Sequence, residues 1–132
     1  MEDITIDKIT GKSIVSAFKV SNALGIGFVE KVYENALAHQ MRKDGLKVLQ
    51  QYPINVEYDG ILVGEFLADM LVEDRVLVEL KAVSELTSEH LAQALNYLRA
   101  TGLEACLLIN FGKSRIQVRH LHPSPNWKVV KP

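Results

Sequence analysis

The sequence predicts an α/β protein with a mixed central sheet flanked by helices. Three observations carry that expectation. Apolar residues follow a helical period as far as Gly45, then switch to two-residue alternation from Leu46. A helical stretch from Thr87 to Gly102 lies between two strand-like runs. A strand–helix–strand crossover of this kind joins parallel strands and covers a sheet face, giving the order ααβββαββ.

The first helix is expected within Ile4–Leu24, where Ile9, Ile14, Val15, Phe18 and Val20 fall at roughly helical spacing. Gly25-Ile26-Gly27 breaks the pattern as a helix–helix turn. Phe28–Lys43 is the clearest helix, with Val29, Val32, Tyr33, Ala36, Leu37 and Gln40 on one face and Gly45 beyond its end. Leu46–Tyr58 reads as a strand whose Pro53 requires an edge or a bulge. Asp59-Gly60 is a hairpin turn signal. Ile61–Val72 and Arg75–Val83 follow as strands. Thr87 can cap the next helix through its side-chain oxygen. Ala105–Phe111 is a short apolar run suited to a buried strand, and Arg115–Leu121 alternates like a half-exposed one.

Length and composition bound the function. A chain of 132 residues is expected to form one domain, 1–132. With 48% hydrophobic and 23% charged residues it has the apolar content to fold, which excludes a disordered chain. A lone Cys106 excludes an internal disulfide scaffold and points to the cytoplasm. No run reaches the ~18 apolar residues of a membrane span, and the N-terminus lacks a signal-peptide core. Net charge is −1, so no global basic signature for nucleic acid exists. Every acidic residue nonetheless lies at or before Glu104, and Lys113, Arg115, Arg119, Lys128 and Lys131 follow it. That segment suits either phosphate binding or a solvated edge strand and tail.

The third strand, RVLVELKAV, is apolar on both faces except at Glu79 and Lys81. Val76, Val78, Leu80 and Ala82 share one face, while Leu77, Glu79, Lys81 and Val83 share the other. Such a strand belongs mid-sheet, where each unpaired ion costs several kcal/mol. Asp69 repeats the anomaly on the neighbouring strand, between Leu67 and Leu71 on its own face. Facing Glu79 and Lys81 across the hairpin, it completes a hard-oxygen cluster suited to Mg²⁺ or Mn²⁺. Glu30 falls at the edge of its helix's inward stripe, although a solvated helix-start glutamate fits it slightly better. Gln93 and Tyr97 stand one turn apart, off the Leu91/Leu95/Leu98 face, where they can reach a water or phosphate. The four histidines show no metal-ligand spacing, and Gly25-Ile26-Gly27 lacks a full dinucleotide or phosphate-loop motif.

Asp69 followed by Glu79-Leu80-Lys81 resembles the D…(D/E)-x-K core of the PD-(D/E)XK nuclease superfamily. Gly27 to Tyr33 spells G-x-x-E-x-x-Y, the pattern of the small GxxExxY protein family, and LVEDRVLVELKAV, QALNYLRATG and LLINFG are similar to its context. The resemblance runs from about Ile9 to about Arg119. It implies a restriction-endonuclease-like αβββαβ core. It implies metal-site roles for Glu30, Asp69 and Glu79 with the Leu80 carbonyl, a catalytic Lys81, and supporting roles for Gln93 and Tyr97. Ala68 stands where the superfamily's name has proline.

The expectation is therefore a Mg²⁺- or Mn²⁺-dependent phosphodiesterase acting on nucleic acid, DNA foremost. The alternative is a catalytically silent module of the same fold that binds nucleic acid or a protein partner. No membrane partner is expected, and homodimerisation is left open. A shared ion requires Asp69 and Glu79 on one face. A two-residue turn at Glu73-Asp74 would set Asp69 opposite Val78, whereas a three-residue turn sets it opposite Glu79. The sequence thus demands a three-residue turn or a bulge there.

Overall fold

The first helix, α1 (Ile6–Leu24), starts where the Thr5 hydroxyl accepts a hydrogen bond from the Lys8 amide at 3.2 Å in this computed structural model, which describes residues 4–124. Its inward face is built from small residues: Thr10, Ser13, Ser16 and Ala17 are buried beside Ile9 and Val20. The buried serine hydroxyls find one local and one remote acceptor. Ser13 donates to the Ile9 carbonyl at 2.7 Å, and Ser16 donates to Asp44 at 2.9 Å. Small side chains let α1 lie close to the next helix, so Val15 and Phe18, expected inside, turn outward and are exposed.

Helix α2 (Glu30–Lys43) buries Tyr33, Glu34, Leu37, Ala38 and Met41. The expected face was rotated from this one, since Val29 and Val32 are exposed. Tyr33 sets the rotation. Its ring stacks on Phe111 with centroids 4.9 Å apart. Its hydroxyl donates to the Gly25 carbonyl at 2.6 Å and accepts from the Phe28 amide at 3.3 Å. The turn it ties together needs Gly27, whose φ of 112° no L side chain adopts comfortably.

Among the described residues five strands follow: β1 (Val48–Tyr58), β2 (Ile61–Val72), β3 (Val76–Lys81), β4 (Ala105–Asn110) and β5 (Gln117–Leu121). They form one sheet in sequence order, antiparallel throughout except for the parallel β3–β4 pair. Helix α3 (Ser88–Thr101) makes the crossover between those two. Thr87 caps it as expected, and Gly102 ends it in a left-handed conformation. The α/β architecture and element order therefore match the sequence reading, with strand ends a few residues shorter at Leu46, Arg75 and Arg115.

Two cores lie against the sheet. Helices α1 and α2 cover Met70, Val72, Val76, Val78 and Leu80, while α3 covers Ile54, Ala68, Leu71, Leu77 and Cys106. Even-numbered Met70 and Val72 thus face one way and even-numbered Ala68 the other. The pleat flips at Asp69, opposite Gln51, whose φ is 57°. Gln50 pairs with Met70 and Tyr52 with Ala68, but Gln51 and Asp69 are not ladder partners. Simple alternation placed Asp69 on one face with Leu67. The structure corrects this: Leu67 is exposed while Leu71 is buried under α3.

The β2–β3 turn comprises Glu73, Asp74 and Arg75, because Val72 pairs with Val76. Glu73 and Asp74 take φ values of 51° and 59°, and the Arg75 amide closes the turn onto the Val72 carbonyl at 3.1 Å. This is the three-residue register that the sequence demanded. Among the described residues no helix is long and apolar enough to cross a membrane. Lys128 and Lys131, counted in the basic C-terminal segment, lie outside the described residues. Lys113 of that segment pairs with Glu85, Arg115 lies just before the half-exposed β5, and Arg119 is an exposed residue on it.

Candidate active site

The β2–β3 ladder ends at Met70 opposite Val78. One step further its register sets Asp69 against Glu79, and there side chains replace the backbone bonds. The Asp69 amide donates to Glu79 Oε1 at 2.9 Å, and the Leu80 amide donates to Asp69 Oδ2 at 2.8 Å. Each carboxylate thus satisfies a backbone donor that the separating strands would leave bare. One oxygen of each acid is committed to an amide, and the other has no hydrogen bond among the described residues. The N–H and C=O of one strand residue face the same neighbour, so the Leu80 carbonyl also points into this opening.

Burial makes the pair electrostatically unstable as two anions. Glu79 is only 5% exposed, and its carboxyl is pushed up to about 8, first by burial and then by the charge of Asp69. Asp69 is also raised, first by burial, with Glu34 and Glu30 adding negative charge. Its bond from Leu80 opposes the shift, and Lys81 opposes it in both acids. Lys81 follows at the end of β3, half-buried, and makes no ion pair among the described residues. It is close enough to act on both carboxylates through its charge and remains available to a substrate.

Asn110 fixes the strand end that carries Lys81. Fully buried opposite Lys81, it accepts from the Val83 amide at 3.0 Å and donates to the Val83 carbonyl at 2.9 Å. The Phe111 amide adds a bond to the Lys81 carbonyl at 2.8 Å.

Glu30 occupies the first turn of α2, exposed, with its charge felt by both Asp69 and Glu79. One turn on, Glu34 is buried at 3% exposure and was not singled out from the sequence. Gln50 and Gln51 both donate to it, at 2.6 and 2.9 Å, and Lys31 adds an ion pair at 3.0 Å. Adjacent strand residues normally point to opposite faces, and the positive φ of Gln51 brings both amides onto one carboxylate. The signal was present: Glu34 is in phase with the buried Leu37 and Met41, a charge on an apolar stripe.

Tyr97 belongs to the buried face of α3 with Ala94 and Leu98, which corrects its expected place off that face. Its ring meets Phe66 at 5.6 Å. Its hydroxyl is held in the protonated form by burial and by the charges of Glu79 and Asp69, which puts it in the field of the acidic pair. Gln93 is exposed. It lines, with Tyr97, Val56 and Phe66, a groove of about 490 Å³.

The donors Asp69, Glu79 and the Leu80 carbonyl are all hard oxygens. Among the described residues no three His, Cys, Asp or Glu side chains are grouped to hold an ion, so Glu30 does not complete a three-acid cage. Two carboxylates with open positions for phosphate and water fit Mg²⁺ chemistry nonetheless, because this ion is usually held by one or two carboxylates plus substrate oxygens. Cys106 is buried with its thiol pushed up by burial, which disfavours the reactive thiolate.

Comparison with known proteins bears on this geometry. A family model described as the PD-(D/E)XK nuclease superfamily matches residues 7–121. Among solved structures, an alkaline exonuclease from Laribacter hongkongensis is similar, with a TM-score of 0.54 and 14% sequence identity. The match covers 93% of this chain and 73% of that one, and at this identity the likeness is one of fold. No curated protein matches.

Proposed function

Because the chain belongs to the PD-(D/E)XK nuclease superfamily, we propose that it hydrolyses phosphodiester bonds in nucleic acid, DNA foremost, with Mg²⁺ or Mn²⁺. The observation that carries this reading is the opened ladder at Asp69 and Glu79. Buried Glu79 and half-buried Asp69 stand together, each accepting from a backbone amide, with Lys81 beside them. A structural role needs no such arrangement, since a neutral pair would satisfy the same amides at lower cost.

Asp69, Glu79 and the Leu80 carbonyl would hold the cation, with Glu30 adding negative charge from α2. When bound there, the ion neutralises the scissile phosphate and acidifies a water. The chain's own groups do the positioning. Lys81 Nζ donates to the attacking water and to the phosphate oxygen on which charge develops, a preorganised charge in a partly dehydrated site. Gln93 and Tyr97 line the groove and hold the phosphate or a water through the amide and hydroxyl.

The test is cleavage of labelled single- and double-stranded DNA and RNA with Mg²⁺, with Mn²⁺ and with chelator, for wild type and Lys81→Ala. Metal-dependent cleavage that disappears in the variant supports the reading. A folded wild type that cuts none of the substrates with either ion overturns it. The absence of a three-acid cage among the described residues favours one rival, a silent module that binds nucleic acid or a protein through this cleft. Binding without turnover in the same experiment identifies it.

A further inference from the structure

Among the described residues two acids are buried, Glu34 and Glu79, and the proposed chemistry uses only the second. Glu34 gathers three donors on its two oxygens. Gln50 at 2.6 Å and Lys31 at 3.0 Å share Oε2, and Gln51 at 2.9 Å takes Oε1. Two of these donors come from consecutive residues of β1, whose side chains a regular strand sends to opposite faces. Gln51 joins Gln50 because its φ is 57°. A residue with a Cβ takes this left-handed conformation under strain, so a contact must hold it there. The bond to Glu34 supplies the hold, charge-assisted and shielded from water.

The held residue lies opposite Asp69. Pairing runs on either side, Gln50 with Met70 and Tyr52 with Ala68, and is missing between them. Both strands change face at this gap. Val48 and Met70 pack under α1 and α2, while Ile54 and Ala68 pack under α3. A carboxylate that accepts from the Leu80 amide lies along the sheet toward β3, on neither face. A residue at the change of face is the one placed to do this. Glu34 also acts on the Asp69 carboxyl through its charge, more than Glu30 does.

We propose that Glu34 is a positioning residue of the Asp69–Glu79 site: it clamps Gln51 in the left-handed conformation and so holds Asp69 where it reaches β3. The geometry stands by itself, and its bearing on catalysis rests on the nuclease reading above. The carboxylate matters as a carboxylate. A glutamine there has one acceptor oxygen and turns its own amide toward the remaining donors.

Amide hydrogen exchange, read by NMR on the full chain in chelator, tests the clamp without metal, substrate or turnover. Glu34→Gln is expected to speed exchange at the Asp69 and Leu80 amides about tenfold or more, while the amides of β4 keep their protection. Gln51→Ala is expected to do the same, since it removes the clamp and keeps the strain. Gln51→Gly is expected to stay near wild type, since glycine takes this conformation freely, and adding Glu34→Gln to it is expected to change little. Asp44→Asn weakens contacts with Ser16, Lys19 and Gln40 at the other end of α2. It is expected to lower the melting temperature and leave both site amides protected.

Unchanged exchange in a folded Glu34→Gln overturns the proposal. Equal loosening in Gln51→Ala and Gln51→Gly overturns it too, and this pair decides the matter if Glu34→Gln does not fold. Where wild type cleaves DNA, Glu34→Gln is expected to lower kcat about tenfold or more with KM nearly unchanged. An inactive wild type with the expected exchange pattern refutes the nuclease reading and leaves the clamp. An active wild type whose variants exchange like it refutes the clamp alone.

Discussion

Replacing Glu79 with glutamine should stabilise the protein at alkaline pH, although it removes a candidate functional group. The carboxyl is raised from 4.5 to about 8, chiefly by burial and by Asp69. Below pH 4.5 the folded and unfolded chains both hold this proton, and wild-type stability is complete. Between 4.5 and about 8 the unfolded chain releases the proton and the folded chain keeps it, so stability falls as pH rises. Above about 8 the folded chain also ionises and the loss levels off. At 1.36 kcal/mol per pH unit the loss approaches on the order of 3–5 kcal/mol. Glutamine offers an equivalent acceptor to the Asp69 amide and does not ionise. The variant should therefore melt on the order of 10 °C above wild type at pH 9, and near it at pH 5. Asp69 is raised in the same direction and still titrates, so the slope of the variant is reduced rather than abolished. Thermal and urea unfolding of both proteins in chelator, from pH 5 to 9, measures this. Parallel stability curves across that range would refute the assigned burial and repulsion.

Further expectations follow from the same geometry. Millimolar Mg²⁺ or Mn²⁺ should raise wild-type melting most at and above pH 8, where the pair is ionised, and Asp69→Asn should shrink the shift in a thermal-denaturation series. Lys81→Ala should abolish cleavage while changing stability by less than ~0.5 kcal/mol, because Lys81 makes no ion pair among the described residues. Gly112→Ala should destabilise by ~3 kcal/mol or more in urea titration, since a Cβ there would lie 2.1 Å from the Val83 carbonyl oxygen. Tyr33→Phe should cost ~1–2 kcal/mol by the same measurement, as it frees the Gly25 carbonyl and loosens the turn preceding Glu30.

Much of this molecule was legible from periodicity alone. The change from helical spacing to alternation at Leu46, the Asp59-Gly60 turn and the Thr87 cap gave the element order, because local backbone preferences set each of them. Glu79 and Lys81 stood out because a doubly apolar strand has no ordinary place for charge. The face of α2 was harder to read. Its rotation depends on Tyr33 meeting Phe111 and the Gly25 carbonyl, contacts remote in sequence, so Val29 and Val32 were placed inside.

The sequence by itself determined that Asp69, Glu79 and Lys81 are out of place unless they meet, and that a three-residue turn is needed for them to do so. Strand alternation is a local, fixed rule, which is why that deduction needed no coordinates. Only the tertiary structure decided how they meet. The pleat flips at Asp69 opposite the strained Gln51, the ladder opens, and each carboxylate takes a backbone amide of the other strand. The same flip turns Gln50 and Gln51 together onto Glu34, a buried acid that helix periodicity had left unmarked. A single positive φ is invisible to side-chain patterning, because it is selected by the long-range bonds it permits.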